Sequence, residues 1–414
     1  MKHITRVLPA STILCYIHAV MKRLLNLLGT SLLIFSFATA AVHAQDTRAA
    51  EIAQQQAEKA KQLEANLPSK GERFLNWLQA HSNDPSTMYT TFGGMYPSAG
   101  FAPGIAYRDA FGGARFNAGV GWSFKNYKLA QGSLGWPDLF GDKLEVHTRV
   151  RWTDATQVPF YGVGNDSVKD DRVNYGLKAL EAGGSATLKP WWWYRLGGGV
   201  AYRRYEDREG SGSHPSIETT PLIVPGLFSE ARYTQTTAFT AIDCRESPGY
   251  TRSGGLYSVT FNDYNDSNDV YGFRRVDVDL QQMVPLLKEQ WVLAFRGLVA
   301  MTDAADNQIV PYYLLPNLGG SRRHRGYSDF RFQDRNLLLV SGEYRWMPSR
   351  IVDMALFVDA GKVTSDRSDL DFNDLKMGYG IGVRIHGPTL TPVRIDVAHS
   401  DEGWRIHLTG GLPF

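Results

Sequence analysis

The stretch Trp404-Arg405-Ile406-His407-Leu408-Thr409-Gly410-Gly411-Leu412-Pro413-Phe414 ends the chain and decides the class of fold. Its residues fall into two alternating sets, as they do in a β-strand whose successive side chains point to opposite faces. One predicted face carries Trp404, Ile406, Leu408, Gly410, Leu412 and Phe414, and the other carries Arg405, His407, Thr409 and Pro413. The sequence therefore predicts an amphipathic closing strand that stops on an aromatic residue.

Alternation with the same period recurs along the chain from about residue 88. In segments 114–124 and 143–153, mainly apolar residues occupy every second position, and polar, charged or glycine residues lie between them. Five segments of this type follow residue 330, at 336–346, 351–363, 377–386, 392–400 and 404–414. The pattern predicts a chain built almost entirely of β-strands that each have one apolar and one polar face.

Two folds use strands of this type. A soluble sandwich buries the apolar face, whereas a membrane barrel turns it to lipid and turns the polar face to the lumen. The membrane reading is favoured by strands of about ten residues or more and by aromatic residues near strand ends, namely Trp152, Trp191 to Tyr194, Trp346 and Trp404. We therefore predict an all-β fold, a transmembrane antiparallel β-barrel of about 14 to 16 strands, and favour 16 because such barrels have even numbers. The soluble sandwich is the alternative.

Composition fits this prediction and excludes one class of partner. The 414 residues carry a formal net charge of +2 and 21% charged residues, so no basic face for nucleic acid is expected. The mean hydropathy of −0.28 shows no bulk membrane signal, which alternating strands conceal.

The N-terminal part carries an export signal. A basic pair follows Met21, an apolar run covers 24–41, and small residues at 42–44 form a cleavage site. We assign residues 1–44 to a leader and signal peptide and place the mature start near Gln45. A single membrane anchor is the alternative reading of the apolar run.

A helical segment is predicted between the signal peptide and the barrel. Residues 46–66 are polar and Ala-rich with a weak apolar stripe, and a second short helix is expected at about 72–81. A disordered spacer is the alternative. The predicted domains are therefore a periplasmic helical segment at 45–86 and an outer-membrane barrel at 87–414.

The segment Gly319–Tyr327 is too rich in glycine and arginine for a lipid-facing strand. It precedes the five final strands, and counting back from a periplasmic C-terminus places it on the extracellular side. With this loop the sequence resembles the BamA/TamA family of outer-membrane assembly factors, also called bacterial surface antigens. The resemblance implies a loop that folds back into the lumen, with Arg325, Gly326 and Tyr327 at its tip and the arginine docked on acidic residues of the inner wall.

The resemblance extends into the strands that follow. Segment 341–346 resembles the family strand that supplies an inward glutamate, here Glu343, and 357–361 matches the Phe-x-Asp-x-Gly motif that contains Asp359. The resemblance implies that these two acids are the docking partners of the loop. Further family-motif positions are Phe357, Gly361, Gly380 and Arg384.

Strand parity supports the docking independently of the family. If Tyr344 and Val358 face lipid, Glu343 and Asp359 face the lumen. A guanidinium can meet two carboxylates through paired hydrogen bonds. Ordinary lumen charges are the alternative explanation. We take Arg252 to be an exposed loop arginine for comparison.

The end of the chain resembles the sorting signal of bacterial outer-membrane barrels. In this reading the strand is recognised through its apolar face and its terminal aromatic residue, with Trp404, Ile406, Leu408, Leu412 and Phe414 as the residues involved. The implied location is the outer membrane of a Gram-negative cell. The glycines at 410 and 411 are expected to weaken strand pairing.

Three functions follow for comparison. The first is insertion of proteins or lipids into the outer membrane, with outer-membrane lipid, client proteins or a periplasmic partner as contacts of a monomeric barrel. The second is a gated pore or surface antigen whose inward loop restricts the lumen. The third is an enzyme, which we reject because no catalytic motif, cofactor site or metal-ligand spacing is found. Family members carry periplasmic domains for client capture, and residues 45–86 predict only helix.

Overall fold

The computed structural model describes Arg73 and residues 87–93, 95–219, 224–286 and 290–414. Apart from Arg73, the predicted signal peptide and the segment 45–86 lie outside these residues. All the strands belong to one compact unit, Asn83–Phe414. No helix among the described residues is long and apolar enough to cross a membrane.

Sixteen main strands form one antiparallel sheet, and each main strand pairs with the next main strand along the chain. The first eight are β1 (Thr87–Phe92), β2 (Pro103–Phe111), β3 (Ala114–Trp122), β4 (Lys128–Leu139), β5 (Leu144–Phe160), β6 (Val173–Trp191), β7 (Tyr194–Glu209) and β8 (Glu230–Asp243). The other eight are β9 (Gly254–Asp266), β10 (Phe273–Leu286), β11 (Trp291–Ala304), β14 (Asn336–Ser349), β15 (Val352–Thr364), β16 (Lys376–Ile385), β17 (Val393–Ser400) and β18 (Gly403–Thr409). The strand number agrees with the favoured prediction.

Minor elements lie in the connections. The two-residue strands β12 (Asn317–Leu318) and β13 (Phe332–Gln333) pair with each other inside the connection from β11 to β14. Single turns of 3-10 helix occur at Lys169–Asp171, Ile217–Thr219, Tyr312–Leu314 and Arg367–Asp369.

The sheet is apolar outside and polar inside. On β15, Leu356 and Val358 are 51% and 46% exposed, whereas Asp359 between Val358 and Ala360 is fully buried. The same inversion holds on β14, where Tyr344 is exposed while Glu343 is buried. A soluble sandwich would show the opposite polarity, so this sheet has the faces that a membrane strand requires.

The two ends of the sheet differ in their connections. At the end that we call the turn end, short links such as 112–113, 192–193 and 350–351 join the strands. At the opposite loop end, the links include 161–172 and 305–335. We call residues 305–335 the inward loop, because its side chains pack against the concave face of the sheet.

An aromatic cluster fills the interior near the loop end. Tyr312 of the inward loop lies edge-on to Phe160 and Tyr175, with ring centroids 5.0 and 4.9 Å away. Its hydroxyl donates to Asp207 Oδ1 at 2.8 Å. The loop is therefore seated inside the sheet by both packing and hydrogen bonding.

The closing strand is shorter than the sequence predicted. Trp404, Ile406 and Leu408 are about equally exposed on the outer face, at 70%, 73% and 70%, but β18 ends at Thr409. The prediction that Leu412 and Phe414 extend this face is wrong.

Backbone geometry explains the early end of β18. Gly411 has a φ of +79°, which leaves the β region, and its N–H donates to the Thr391 carbonyl at 2.8 Å. Phe414 then packs against the buried side chains of Met283, Val292 and Ala294. The terminal aromatic ring therefore points into the sheet's interior.

Candidate functional site

The tip of the inward loop is a tight, glycine-dependent turn. Gly319 and Gly320 have φ values of +122° and +86°, a region that residues with a Cβ rarely adopt. The Gly320 N–H donates to the Tyr327 carbonyl at 3.0 Å, which closes the tip. The turn directs the Arg325 side chain towards β14 and β15.

Arg325 lies between Glu343 and Asp359 and is 1% exposed. Its Nε donates to Asp359 Oδ2 at 2.8 Å and its Nη2 donates to Asp359 Oδ1 at 2.7 Å. Its backbone N–H donates to the same Oδ2 at 3.0 Å, and Nη1 donates to Glu343 Oε1. The guanidinium thus makes the bidentate pair that a planar fork allows.

Glu343 binds two further arginines. Arg345 Nε donates to Glu343 Oε2 at 2.6 Å, and Arg384 Nη2 donates to Oε1 at 2.9 Å. Arg345 and Glu343 are two residues apart on β14, so both point inward. The sequence reasoning named Arg384 only as a motif position and gave Arg345 no role.

A second buried ion pair borders this cluster. Arg394 Nε lies 2.9 Å from Asp396 Oδ2, and both residues are fully buried. Arg394 Nη2 also donates to the Ser321 carbonyl of the inward loop at 2.7 Å. Together the two adjoining groups contain the buried cations Arg325, Arg345, Arg384 and Arg394 and the buried anions Glu343, Asp359 and Asp396. The described cluster thus has one more cation than anions, so losing a carboxylate should destabilise it strongly.

The motif residues Phe357 and Gly380 hold the guanidinium from the other side. The Arg325 Cζ lies 3.5 Å from the centroid of the Phe357 ring, in a cation–π contact. Gly380 pairs with Phe357 across β15 and β16, and a Cβ at Gly380 would lie 2.5 Å from Phe357 Cζ. Glycine at this position therefore provides the room for the ring.

Gly326 is required because two backbones approach each other closely. A Cβ at Gly326 would lie 3.0 Å from the Cα of Gly378 and 3.1 Å from the Cβ of Ser400. Ser400 Oγ donates to the Gly326 carbonyl at 2.8 Å, and His407 Nε2 donates to the Arg325 carbonyl at the same distance. The tip therefore contacts β16, β17 and β18 together.

His324 and Tyr327 complete the docked tip. Burial lowers the pKa of His324, so the neutral imidazole donates from Nε2 to the Lys376 carbonyl at 2.8 Å. The Tyr327 hydroxyl donates to Asp401, and its ring packs in an apolar cluster with Leu318 and Phe332. Gly361 lies under this cluster, since a Cβ there would be 3.0 Å from Leu318 Cδ1.

The sequence reasoning missed a second anchoring arginine. Arg331 Nη1 and Nη2 donate to Ser167 Oγ and O at 2.8 and 2.7 Å, and its Nε pairs with Glu402. The Gly164 N–H donates to the Gln333 carbonyl at 2.8 Å. The connection between β5 and β6 thus holds this part of the loop through both side chains and backbone.

The predicted site residues fall into two groups in space. The structure brings together Arg325, Gly326, Tyr327, Glu343, Phe357, Asp359, Gly361, Gly380 and Arg384. Trp404, Ile406 and Leu408 lie on the opposite, outer face. Arg252 is not exposed: its side chain is 11% exposed and its Nη1 lies 3.1 Å from Asp353 Oδ2, so our prediction of an exposed arginine is wrong.

The β-barrel proteins of bacterial outer membranes share three features with this structure. These are an apolar outer face, a polar interior and a loop folded inside. The Omp85 superfamily domain matches residues 113–414, and the chain belongs to this superfamily. It is thus a member of the outer-membrane assembly and secretion family. No curated protein matches the sequence.

Two solved structures illustrate the shared fold. BamA from Haemophilus ducreyi, in a form lacking POTRA domains 1–3, is 13% identical with a TM-score of 0.61, over 80% of this chain and 70% of that chain. CdiB from Escherichia coli is 13% identical with a TM-score of 0.54, over 80% of this chain and 63% of that chain. This chain thus covers less than two thirds of CdiB, and at this identity both matches show the fold alone.

Proposed function

We propose that the sheet closes into a 16-stranded barrel in the outer membrane of a Gram-negative bacterium and acts there in inserting proteins or lipids. One observation carries the proposal. The edge strands β1 and β18 have six and seven residues and are the shortest of the large sheet. Within the described residues, no ladder joins them to each other. A seam between two short edges can open sideways at low cost.

The end of β18 supports a weak seam. Its pairing with β17 stops at Thr409 opposite Arg394, and Gly410 and Gly411 follow without strand structure. Glycine offers no side chain to pack across a seam. The outer residues Trp404, Ile406 and Leu408 would keep this edge in contact with lipid.

The docked inward loop supports transfer through the seam rather than through the lumen. Arg325 and Arg331 fix the loop at two places to strands or loops on both sides of the interior. Buried charge pairs hold a loop in one position, because releasing one partner leaves an unpaired charge. In this proposal Arg325, Glu343 and Asp359 keep the lumen plugged while the seam works.

The proposed partners follow from this role. Outer-membrane lipid contacts the apolar face, and client outer-membrane proteins meet the seam. We propose that a periplasmic partner delivers these clients, since the segment 45–86 predicts helix rather than a strand-addition domain. The role is non-enzymatic and uses no cofactor.

Reconstitution tests the assembly function. The purified protein in liposomes is mixed with a urea-unfolded eight-stranded outer-membrane barrel, and folding of that client is followed by its heat-modifiable gel shift. We expect faster client folding than in empty liposomes and than with heat-denatured protein. The proposal would be contradicted if the reconstituted protein is correctly folded and the client still folds no faster than in empty liposomes.

A gated pore is the second candidate. A cavity of about 1170 Å³ at the loop end is lined mainly by polar residues, among them Asp166, Asp371 and Tyr327, and it would serve as an entrance. Single-channel conductance separates the candidates. A pore should conduct ions with the inward loop in place, whereas the assembly barrel should stay closed to ions while that loop is docked.

A further inference from the structure

The longest described connection at the turn end is residues 244–253, between β8 and β9. We call it the crossing loop. Links such as 112–113, 192–193 and 350–351 have two residues, enough to join antiparallel strands. The crossing loop has ten, so most of its length is not needed to make the turn.

The extra length carries the loop away from its own strands. Tyr250 and Arg252 contact Asp353 at the start of β15. In the sheet, β9 and β15 are separated by four strand spacings, which is roughly 19 Å along the sheet. The loop therefore lies across the concave side instead of following the edge.

A buried polar cluster fixes the far end of the crossing loop. The Tyr250 hydroxyl donates to Asp353 Oδ2 at 2.9 Å and lies 3.1 Å from His386 Nε2. The Tyr250 and His386 rings stack with centroids 4.0 Å apart. Arg252 Nη1 lies 3.2 and 3.1 Å from the two Asp353 oxygens. Asp353 is 1% exposed, so this ion pair is shielded from water.

The backbone of the loop also fits the wall closely. Thr391 Oγ1 donates to the Gly249 carbonyl at 3.2 Å. A Cβ at Gly249 would lie 2.2 Å from the Thr389 carbonyl oxygen. The loop thus touches the 386–392 connection directly, and only glycine allows this approach.

Arg345 links the crossing loop to the anchor of the inward loop. Its Nε donates to Glu343, which also binds Arg325. Its Nη1 donates to the Thr251 carbonyl at 3.4 Å, and its Cζ lies 5.3 Å from the Phe414 ring centroid. One side chain therefore contacts the acid that holds one loop, the backbone of the other loop and the C-terminal residue.

We propose that the crossing loop is a second closure of the lumen, at the end opposite the aromatic cluster, latched by Tyr250 and Arg252 on Asp353 and joined through Arg345 to the Arg325 anchor. When a lumen is closed at two successive points, the narrower point limits ion conductance. Releasing one loop then leaves the lumen shut, and both must move to open it. The proposal rests on the barrel closure proposed above, but it does not require client insertion.

Conductance in planar bilayers tests the series arrangement. The proteins compared are the parent, R325A, the latch variant Y250F/R252Q and their combination. We expect R325A and Y250F/R252Q each to have an open probability near that of the parent. The combined variant should raise the open probability about tenfold or more, as loss of a buried charge pair allows. R274Q is the control, because Arg274 is 72% exposed in its ion pair with Asp263.

Two results would overturn the closure. One is a combined variant that conducts no better than R325A, and the other is a latch variant that alone opens the pore fully. Each protein is first checked for the heat-modifiable folded form, and Y250F alone serves if the double latch variant does not fold. Client folding is measured separately, so its failure would leave the conductance comparison interpretable.

Hydrogen–deuterium exchange tests the link through Arg345. We expect R345Q to speed exchange in both 244–253 and 319–331, and R345K to restore part of the protection. The latch variant should affect 244–253 only. If R345Q changes exchange in 319–331 alone, or if 244–253 exchanges in the parent as fast as an exposed turn, the link is wrong.

Discussion

Arg325 and Asp359 share three hydrogen bonds, two from the guanidinium and one from the backbone N–H of the same arginine, at 2.7 to 3.0 Å. The pair joins the tip of the inward loop to the middle of β15 with both side chains buried. Because the backbone takes part, the contact fixes the course of the loop as well as the position of one side chain.

Arg325→Ala should destabilise the folded protein by about 3–5 kcal/mol, because it leaves Asp359 as a buried charge without its cation. Arg325→Lys should recover only part, since an ammonium cannot present a planar fork. Urea unfolding in detergent or liposomes measures both. R274A, which removes an exposed arginine, should change stability by about 1 kcal/mol or less.

The double variant R325A/D359N checks that reason. The double variant should be more stable than R325A alone, because it no longer contains a buried Asp359 charge without a cation. A double variant that loses the sum of the two single effects would show that Arg325 acts through packing and not through the Asp359 charge.

Glu343→Gln should cost more stability than Asp359→Asn, by about 1 kcal/mol or more. Glu343 pairs with Arg325, Arg345 and Arg384, so its loss leaves mutually repelling guanidinium groups with one fewer anion. Asp359 pairs only with Arg325 in this cluster, and Arg325 still has Glu343 as a partner when Asp359 is replaced by asparagine. Unfolding free energies of the two variants at the same pH give the comparison, and equal values would speak against Glu343 as the centre of the cluster.

Gly378→Ala should weaken docking of the loop tip by about 1–3 kcal/mol, as overpacking of a close contact does. A Cβ there would lie 2.8 Å from His324 Cε1 and 3.0 Å from Gly326 Cα. Gly132→Ala is the matched control, because a Cβ at Gly132 meets no atom within 4 Å. Protease sensitivity of 319–331 reports the docking, and equal sensitivity in both variants would refute the close-packing argument.

Phe414→Ala should lower stability by about 1–3 kcal/mol. This is less than the cost of the same substitution at a fully buried phenylalanine, because the Phe414 ring is only partly buried beside Met283 and Val292. Ile406→Ala on the outer face should cost less in detergent. If the C-terminal strand is a sorting signal, F414A should also lower the amount of barrel assembled in cells. Normal assembly with reduced stability in vitro would assign Phe414 to packing alone.

The mature protein should begin near Gln45, because the residues at 42–44 are predicted to be a signal-peptidase site after an apolar run. Mass spectrometry of the outer-membrane fraction should detect this N-terminus. Recovery of peptides from 24–41 in that fraction would favour the membrane-anchor reading.

The sequence predicted the sheet well because strand parity is local. Side chains alternate in any strand whatever its neighbours are, so the inward direction of Glu343 and Asp359 and the outward direction of Ile406 followed from residue order alone. The family resemblance then added Arg325 as the partner of both acids. The parity argument failed only beyond Thr409, where the positive φ of Gly411 ends the strand.

Contacts between distant segments required the tertiary structure. Arg345 is an unremarkable strand residue in the sequence, and its place between Glu343, Thr251 and Phe414 depends on three segments meeting in one interior. Arg252 was predicted to be exposed because nothing in residues 244–253 indicates that the loop crosses the sheet.

Residue order thus determined the strands, their inner and outer faces and the arginine at the loop tip, through the local geometry of the β-strand and the motifs around 325 and 359. The tertiary structure decided which strands lie opposite each other and where the loops fold. A buried charge is stable only beside its partner, and for Arg331 and Arg252 the partners, Glu402 and Asp353, lie far away along the chain, which no short stretch of sequence records.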